Sequence, residues 1–197
     1  MRLYTREGAG RPPRVAWALE EAGAPYEIVR VPVEDTHGEE HRRRHPLERV
    51  PVLEDDDGFL FESAAICLQV ADTNPQSGLI AANGTRERAL AYQWVLFAMS
   101  ELEPTAIEAY RFRESDPERS QAAMERFLRA ASVLDDALAQ SDHLIGESLT
   151  VADVVVASVL AISRRFDDPQ LLPPRTEAYL ARMEQRPARV RAYAAFA

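Results

Sequence analysis

Apolar positions change their period along this chain, from short segments of mixed period in the first third to a sustained helical period afterwards. Arg2-Leu3-Tyr4 is a short strand candidate. Val15, Trp17, Ala18 and Leu19 follow Pro12-Pro13 and precede Gly23, the proline start and glycine stop of a helix. Tyr26 to Val31 alternates apolar and polar and reads as a second strand. Val50 to Glu54 and Phe59 to Phe61 flank Asp55-Asp56-Asp57-Gly58, a hairpin whose Asp-Gly step suits a tight turn. Ser63 is then placed as the N-cap of a helix through Ala64, Ile66, Cys67 and Val70. The order β-α-β-β-β-α predicts a mixed sheet, because a crossover helix joins parallel strands and a hairpin joins antiparallel ones.

The polar breakers Thr73 to Gly78 mark a linker, and beyond Thr85 no strand signal remains. Leu90, Trp94 and Phe97 recur at helical spacing, as do Phe127, Ala131, Leu134 and Leu138, and then Val151, Val155 and Val159. The fold class is therefore α/β plus all-α, with a first domain over residues 1–74, a linker over 75–84 and a helical domain over 85–197. Leu149-Thr150-Val151-Ala152-Asp153-Val154 reads as a capping box with a hydrophobic staple, a stability element.

Composition removes several chemistries. All 23 basic residues are arginine, so a Schiff-base lysine and the P-loop lysine are excluded. The single cysteine, Cys67, excludes an intramolecular disulfide, a CxxC redox pair and a zinc ribbon, and its place inside a helix suggests a buried, inert thiol. A net charge of −9 argues against general nucleic-acid affinity. No apolar run has the roughly 18 residues of a membrane span, and the N-terminus carries no secretory pattern, so a cytoplasmic protein without membrane association is expected. His37, His41 and His45 recur every four residues, but Pro46 pushes His45 off a helix, and a solvated arginine-rich loop is expected there rather than a metal site.

His45-Pro46-Leu47-Glu48-Arg49-Val50-Pro51-Val52-Leu53, Phe61-Glu62-Ser63-Ala64-Ala65-Ile66 and the Thr150–Asp153 box behind Gly146 stand in an order and spacing that resemble the cytosolic glutathione transferases over essentially the whole chain. Trp17 to Glu27 also looks like that family's first helix and second strand. The resemblance implies a thioredoxin-like N-terminal domain and an all-helical C-terminal domain. It further implies a cis bond before Pro51, with the Val50 backbone pairing with the cysteinyl part of glutathione like an added strand. By resemblance, Ser63 binds the γ-glutamyl carboxylate at a helix start, Glu62 orients its amine, and Arg49 reaches the glycine end.

The match breaks at the residue that activates the thiol. The family places a Tyr, Ser or Cys near the start of the first helix, whereas this chain has Ala9 and Gly10. The remaining candidates are the Thr5 hydroxyl, the Arg11 guanidinium and the amides near Gly10, since a positive charge or donor lowers a thiol pKa. Arg11 and Thr5 are taken as the catalytic candidates, against an ordinary ion pair for one and a strand-end hydroxyl for the other. Tyr4 and Tyr110 are further phenols, Tyr4 being more simply a core residue. The maleylacetoacetate isomerase branch is rejected because its Ser-Ser-Cys is Ala9-Gly10-Arg11 here. The resemblance also implies a homodimer and an acceptor pocket between the domains, with Tyr92, Leu96, Met99, Glu103 and Tyr110 as possible lining. The expected function is glutathione attack on a small hydrophobic electrophile, or reduction of a peroxide or disulfide. The alternative is a non-catalytic scaffold of the stringent starvation protein kind, and the electrophile itself is not encoded legibly.

Overall fold

The computed structural model describes residues 1–166, 168 and 171–196. Two compact units divide the chain, one made of Met1–Leu79 with Pro187–Ala197 and the other of Ile80–Arg186. The first therefore recovers the chain's last helix, which the sequence pattern had grouped with the helical part.

In the first unit, β1 (Arg2–Thr5), β2 (Glu27–Arg30), β3 (Val52–Asp55) and β4 (Gly58–Phe61) form one sheet in the order β2-β1-β3-β4. β1 runs parallel to β2 and antiparallel to β3, and β3 runs antiparallel to β4, the expected mixed sheet. The hairpin turn consists of Asp56 and Asp57, with Gly58 already the first residue of β4 at φ 127°, and the Asp57 N–H bonds the Asp55 carboxylate at 3.0 Å. Between β1 and β2, α1 (Pro12–Ala22) begins on its two prolines and ends at Gly23 in the left-handed conformation, as its sequence dictates. α3 (Ser63–Thr73) follows β4.

One correction concerns the segment between β2 and β3. The expected solvated loop contains a 3₁₀ turn over Val33–His37 and a short helix, α2 (Glu39–Arg44). Glu39 and Glu40 at its start and a basic last turn match the helix dipole, with ion pairs Arg43–Glu39 and Arg44–Glu40 across one turn. His45 does leave the helix, at φ −142°, as Pro46 requires, yet His41 and His45 are both buried.

α9 (Pro187–Ala194) packs on α1. Arg191 pairs with Glu20 at 2.8 Å, and the Arg189 guanidinium lies over the rings of Tyr193 and Trp17. Cys67 is fully buried beneath α1, its thiol 3.8 Å from the Arg14 carbonyl, and burial pushes its pKa up to about 12. The native protein is accordingly expected to leave a thiol reagent unreacted at neutral pH and to release one equivalent in denaturant; rapid native labelling would contradict that burial.

The second unit is helical. α4 (Arg86–Phe97) is capped by the Thr85 hydroxyl and runs through a π turn at Ala98–Leu102 into α5 (Glu103–Phe112). Pro104 has no N–H to give and its ring crowds the turn before it, and the widened turn lies immediately upstream. α6 (Pro117–Ala137), capped by Asp116, α7 (Val151–Leu160) and α8 (Pro174–Glu184) complete the unit. The core of α7 is valine-rich and buried from Val151 to Val156. The capping box is present, the Asp153 carboxylate accepting from the Thr150 N–H at 2.8 Å.

Candidate functional site

Strand register sets the stage. Tyr4 lies opposite Val52, and Val52 opposite Phe61, so the next residues, Thr5, Pro51 and Glu62, align along one end of the sheet. Thr5 is also opposite Arg30, which extends the row to β2. Arg30, Thr5, Pro51 and Glu62 thus stand on four adjacent strand ends, at about 4.8 Å per step.

At Pro51 the preceding peptide bond is cis, and Val50 lies beyond the last ladder pair of β3. Pro51 is buried, Val50 half-buried and Arg49 exposed. The segment is buttressed from below. His41 Nε2 donates to the Arg49 carbonyl at 3.0 Å, while its buried Nδ1 finds no hydrogen-bond partner among the described residues. His45 Nδ1 accepts the Leu47 N–H at 3.1 Å, and its ring packs on Phe61. Burial lowers the His45 pKa against the opposing pull of Glu62, so its imidazole is neutral at neutral pH with the proton on Nε2. Glu48, at φ 57°, is fixed by His37 at 2.7 Å and by Arg42, and those hydrogen bonds lower its pKa. The three histidines thus take separate partners. No group of three metal-ligating side chains gathers among the described residues.

At the neighbouring strand end, Glu62 precedes α3 with φ 69° and ψ 105°, a conformation that costs a side-chain-bearing residue about 1–3 kcal/mol. It is exposed, while Ser63 is 1% exposed and is the first helical residue. The expectation of Ser63 as N-cap is corrected here. Its hydroxyl does not cap α3 but accepts a hydrogen bond of 2.9 Å from Arg14 Nη1, and Arg14 is 3% exposed. Open amides, the helix dipole and a buried guanidinium converge on this point, and together they favour a bound carboxylate. Arg14 was missed by sequence reasoning. Its signal is an arginine at helical spacing from Trp17 and Ala18, on the buried stripe of α1.

Of the activation candidates, Thr5 lies in the row, whereas Arg11 stands at the start of α1. Thr5 is 1% exposed, and its hydroxyl donates weakly to the Arg6 carbonyl at 3.4 Å. Arg6 to Ala9 form a turn closed by Ala9 N–H to Arg6 carbonyl at 3.3 Å, with Gly8 supplying the positive φ of 70° that such a turn needs. Ala9 is half-buried and Gly10 exposed, neither with a side-chain donor. Arg11 is half-buried at the start of α1, and Pro12 and Pro13 remove two amides that an anion there could have used. A cleft of about 340 Å³ opens beside Thr5, walled by the 6–9 turn, Arg30 and Phe196. Tyr4 points to the other face of the sheet, donates to Glu54 at 2.6 Å and is raised in pKa mainly by burial, as befits a core residue.

In the helical unit the proposed stripe divides. Tyr92 and Leu96 are exposed, Met99 and Tyr110 half-buried, and Glu103 buried, with the π turn falling between the first pair and the last. Tyr110 is flanked by Arg113 and Arg165 and edges Phe166.

The chain matches the family model described as "Glutathione S-transferase, N-terminal domain" over residues 1–72 and the one described as "Glutathione S-transferase, C-terminal domain" over residues 89–187. Among curated proteins, a probable glutathione S-transferase of Oryza sativa, GSTF2, is 30% identical over 78% of this chain and 76% of its own length. Elongation factor 1-gamma of Danio rerio is 30% identical over 87% of this chain but only 40% of its own length. The structure of a sphingomonad glutathione S-transferase complexed with glutathione superposes with a TM-score of 0.86 at 32% identity, covering 100% of this chain and 98% of that one.

Proposed function

The chain belongs to the glutathione S-transferase family, and from that footing we propose that it binds glutathione along the strand-end row and uses its thiolate against a small hydrophobic electrophile or to reduce a peroxide or disulfide. One observation carries this reading: the register brings the free edge at Val50-Pro51 beside the carboxylate-favouring start of α3. The γ-glutamyl carboxylate sits on the Ser63 hydroxyl and the α3 amides above Arg14. Glu62, exposed at the strand end, takes the γ-glutamyl amine. The cysteinyl backbone pairs with Val50 as an added strand, and the glycine carboxylate meets Arg49, whose carbonyl His41 holds.

That placement sets the sulfur over Thr5 and the start of α1. Arg11 supplies the positive charge that holds the thiolate, and the Thr5 hydroxyl is the second donor. A fixed cation stabilises thiolate over thiol by Coulomb attraction, so Arg11→Ala is expected to raise the pKa of bound glutathione toward the roughly 8.5 of a free thiol. The check is the ultraviolet absorbance of the thiolate against pH in wild type, Arg11→Ala and Thr5→Val. An unchanged titration in Arg11→Ala removes it from the role.

Ala9 and Gly10 favour a second reading, a non-catalytic glutathione-transferase-like scaffold or regulatory interaction protein. Glutathione binding with a thiol that ionises as in water would select it. A homodimer in the cytoplasm with a detoxifying role accords with the family, and no helix among the described residues is long and apolar enough to cross a membrane.

A further inference from the structure

We propose that the cleft beside Thr5 binds an aromatic acceptor carrying a carboxylate, with Arg6 and Arg30 selecting the charge; this deepens the glutathione reading and rests on it for the position of the sulfur. The strand-end row supplies the first argument. With the peptide over Glu62 and Pro51, the next strand end is Thr5 and the one after it is Arg30, so the cleft continues the same line past the sulfur. Its volume of about 340 Å³ suits a single substituted ring.

Charge supplies the second argument. Arg6 is exposed at the cleft wall and makes no ion pair or side-chain hydrogen bond among the described residues. Arg30 gives Nη2 to the Ala195 carbonyl at 2.8 Å and keeps its other N–H groups. Among the described lining residues, two guanidinium groups, Arg6 and Arg30, face one carboxylate, Glu7. A guanidinium presents two parallel donors that match a carboxylate, while Phe196 offers an apolar surface to the ring. Arg6, being exposed, keeps its water beside a neutral ring, so only an acceptor that carries an anion gains from its guanidinium.

With a chloronitrobenzoate as the probe acceptor, the thiolate sulfur attacks the ring carbon bearing chloride. The C–S bond forms, the C–Cl bond breaks, chloride leaves with the electron pair, and the thiol proton has already passed to solvent. No oxidant or reductant is required.

The test compares a chloronitrobenzoate with the corresponding neutral amide at fixed glutathione. Relative to the uncatalysed reaction, wild type is expected to favour the carboxylate by about tenfold in kcat/KM, the worth of one charge-assisted hydrogen bond. Arg6→Gln should remove that preference, Arg6→Lys should keep part of it, and Arg126→Gln, in the helical unit, should leave it intact. No preference in wild type, or a preference that survives Arg6→Gln, overturns the proposal. Calorimetry with nitrobenzoate alone separates this inference from the glutathione reading. Binding that Arg6→Gln weakens sustains the cleft even in a protein that takes no glutathione, whereas conjugation of the amide together with no heat from nitrobenzoate refutes the cleft and leaves the glutathione reading standing.

Discussion

Asp153→Ala is expected to lower stability by about 3–5 kcal/mol, the largest loss of any single substitution considered for the helical unit. Asp153 is 0% exposed, and its carboxylate accepts from Leu144 N–H at 3.0 Å, Thr150 N–H at 2.8 Å, Thr150 Oγ1 at 3.0 Å and Tyr179 Oη at 3.0 Å. Alanine removes the carboxylate from each of those donors, leaving Tyr179 Oη only the residue-153 carbonyl at 3.4 Å, and the Leu144 amide and Tyr179 hydroxyl are themselves buried. The same contacts explain why the Tyr179 hydroxyl pKa lies well above the usual phenol, burial and the adjacent carboxylate both opposing ionisation. Thermal denaturation followed by circular dichroism should show a midpoint about 10 °C lower. Tyr179→Phe, which removes a single donor, should cost about 1 kcal/mol. Equal effects of the two substitutions would mean that the carboxylate is not the hub its contacts indicate.

Ser63→Ala is the second expected large effect, on affinity rather than on fold. The lost hydroxyl removes a hydrogen bond to a charged group and releases Arg14 from its 2.9 Å contact, so glutathione binding should weaken about ten- to a hundredfold. Leaving the guanidinium without that acceptor should cost about 1–3 kcal/mol of stability as well. A melting curve run beside the titration separates the two consequences. Arg14→Gln should reproduce much of the affinity loss, because the buried charge beneath the carboxylate goes with it. Undiminished glutathione affinity in a folded Ser63→Ala protein would place the carboxylate elsewhere.

Much of the architecture was legible because local signals agreed with the global fold. The Pro12-Pro13 start and Gly23 stop of α1, the alternation of β2, the hairpin and the Thr150–Asp153 box each rest on backbone chemistry that neighbours in sequence supply. What escaped depended on contacts across long sequence separations. Ser63 read as an N-cap because serine before an apolar run is a good local cap, but Arg14, 49 residues away, claims its hydroxyl. α2 was hidden for a local reason, six residues dense in charge having no apolar period, and its buried His41 sets Nε2 on the Arg49 carbonyl. The order Val50-Pro51 then Glu62-Ser63 was readable, whereas the row joining them to Thr5 and Arg30 needed the strand register. Ala9 and Gly10 carry no side-chain donor, so the group proposed to hold the thiolate, Arg11 with Thr5, is the part of the site that the sequence motifs leave open.

The most direct measurement is a calorimetric titration of the wild-type protein with glutathione. Saturable heat with about one tripeptide per chain and a Kd between roughly a micromolar and a millimolar is expected. No heat up to about 10 mM glutathione, from protein shown to be folded, would contradict a tripeptide site at Val50-Pro51 and Ser63.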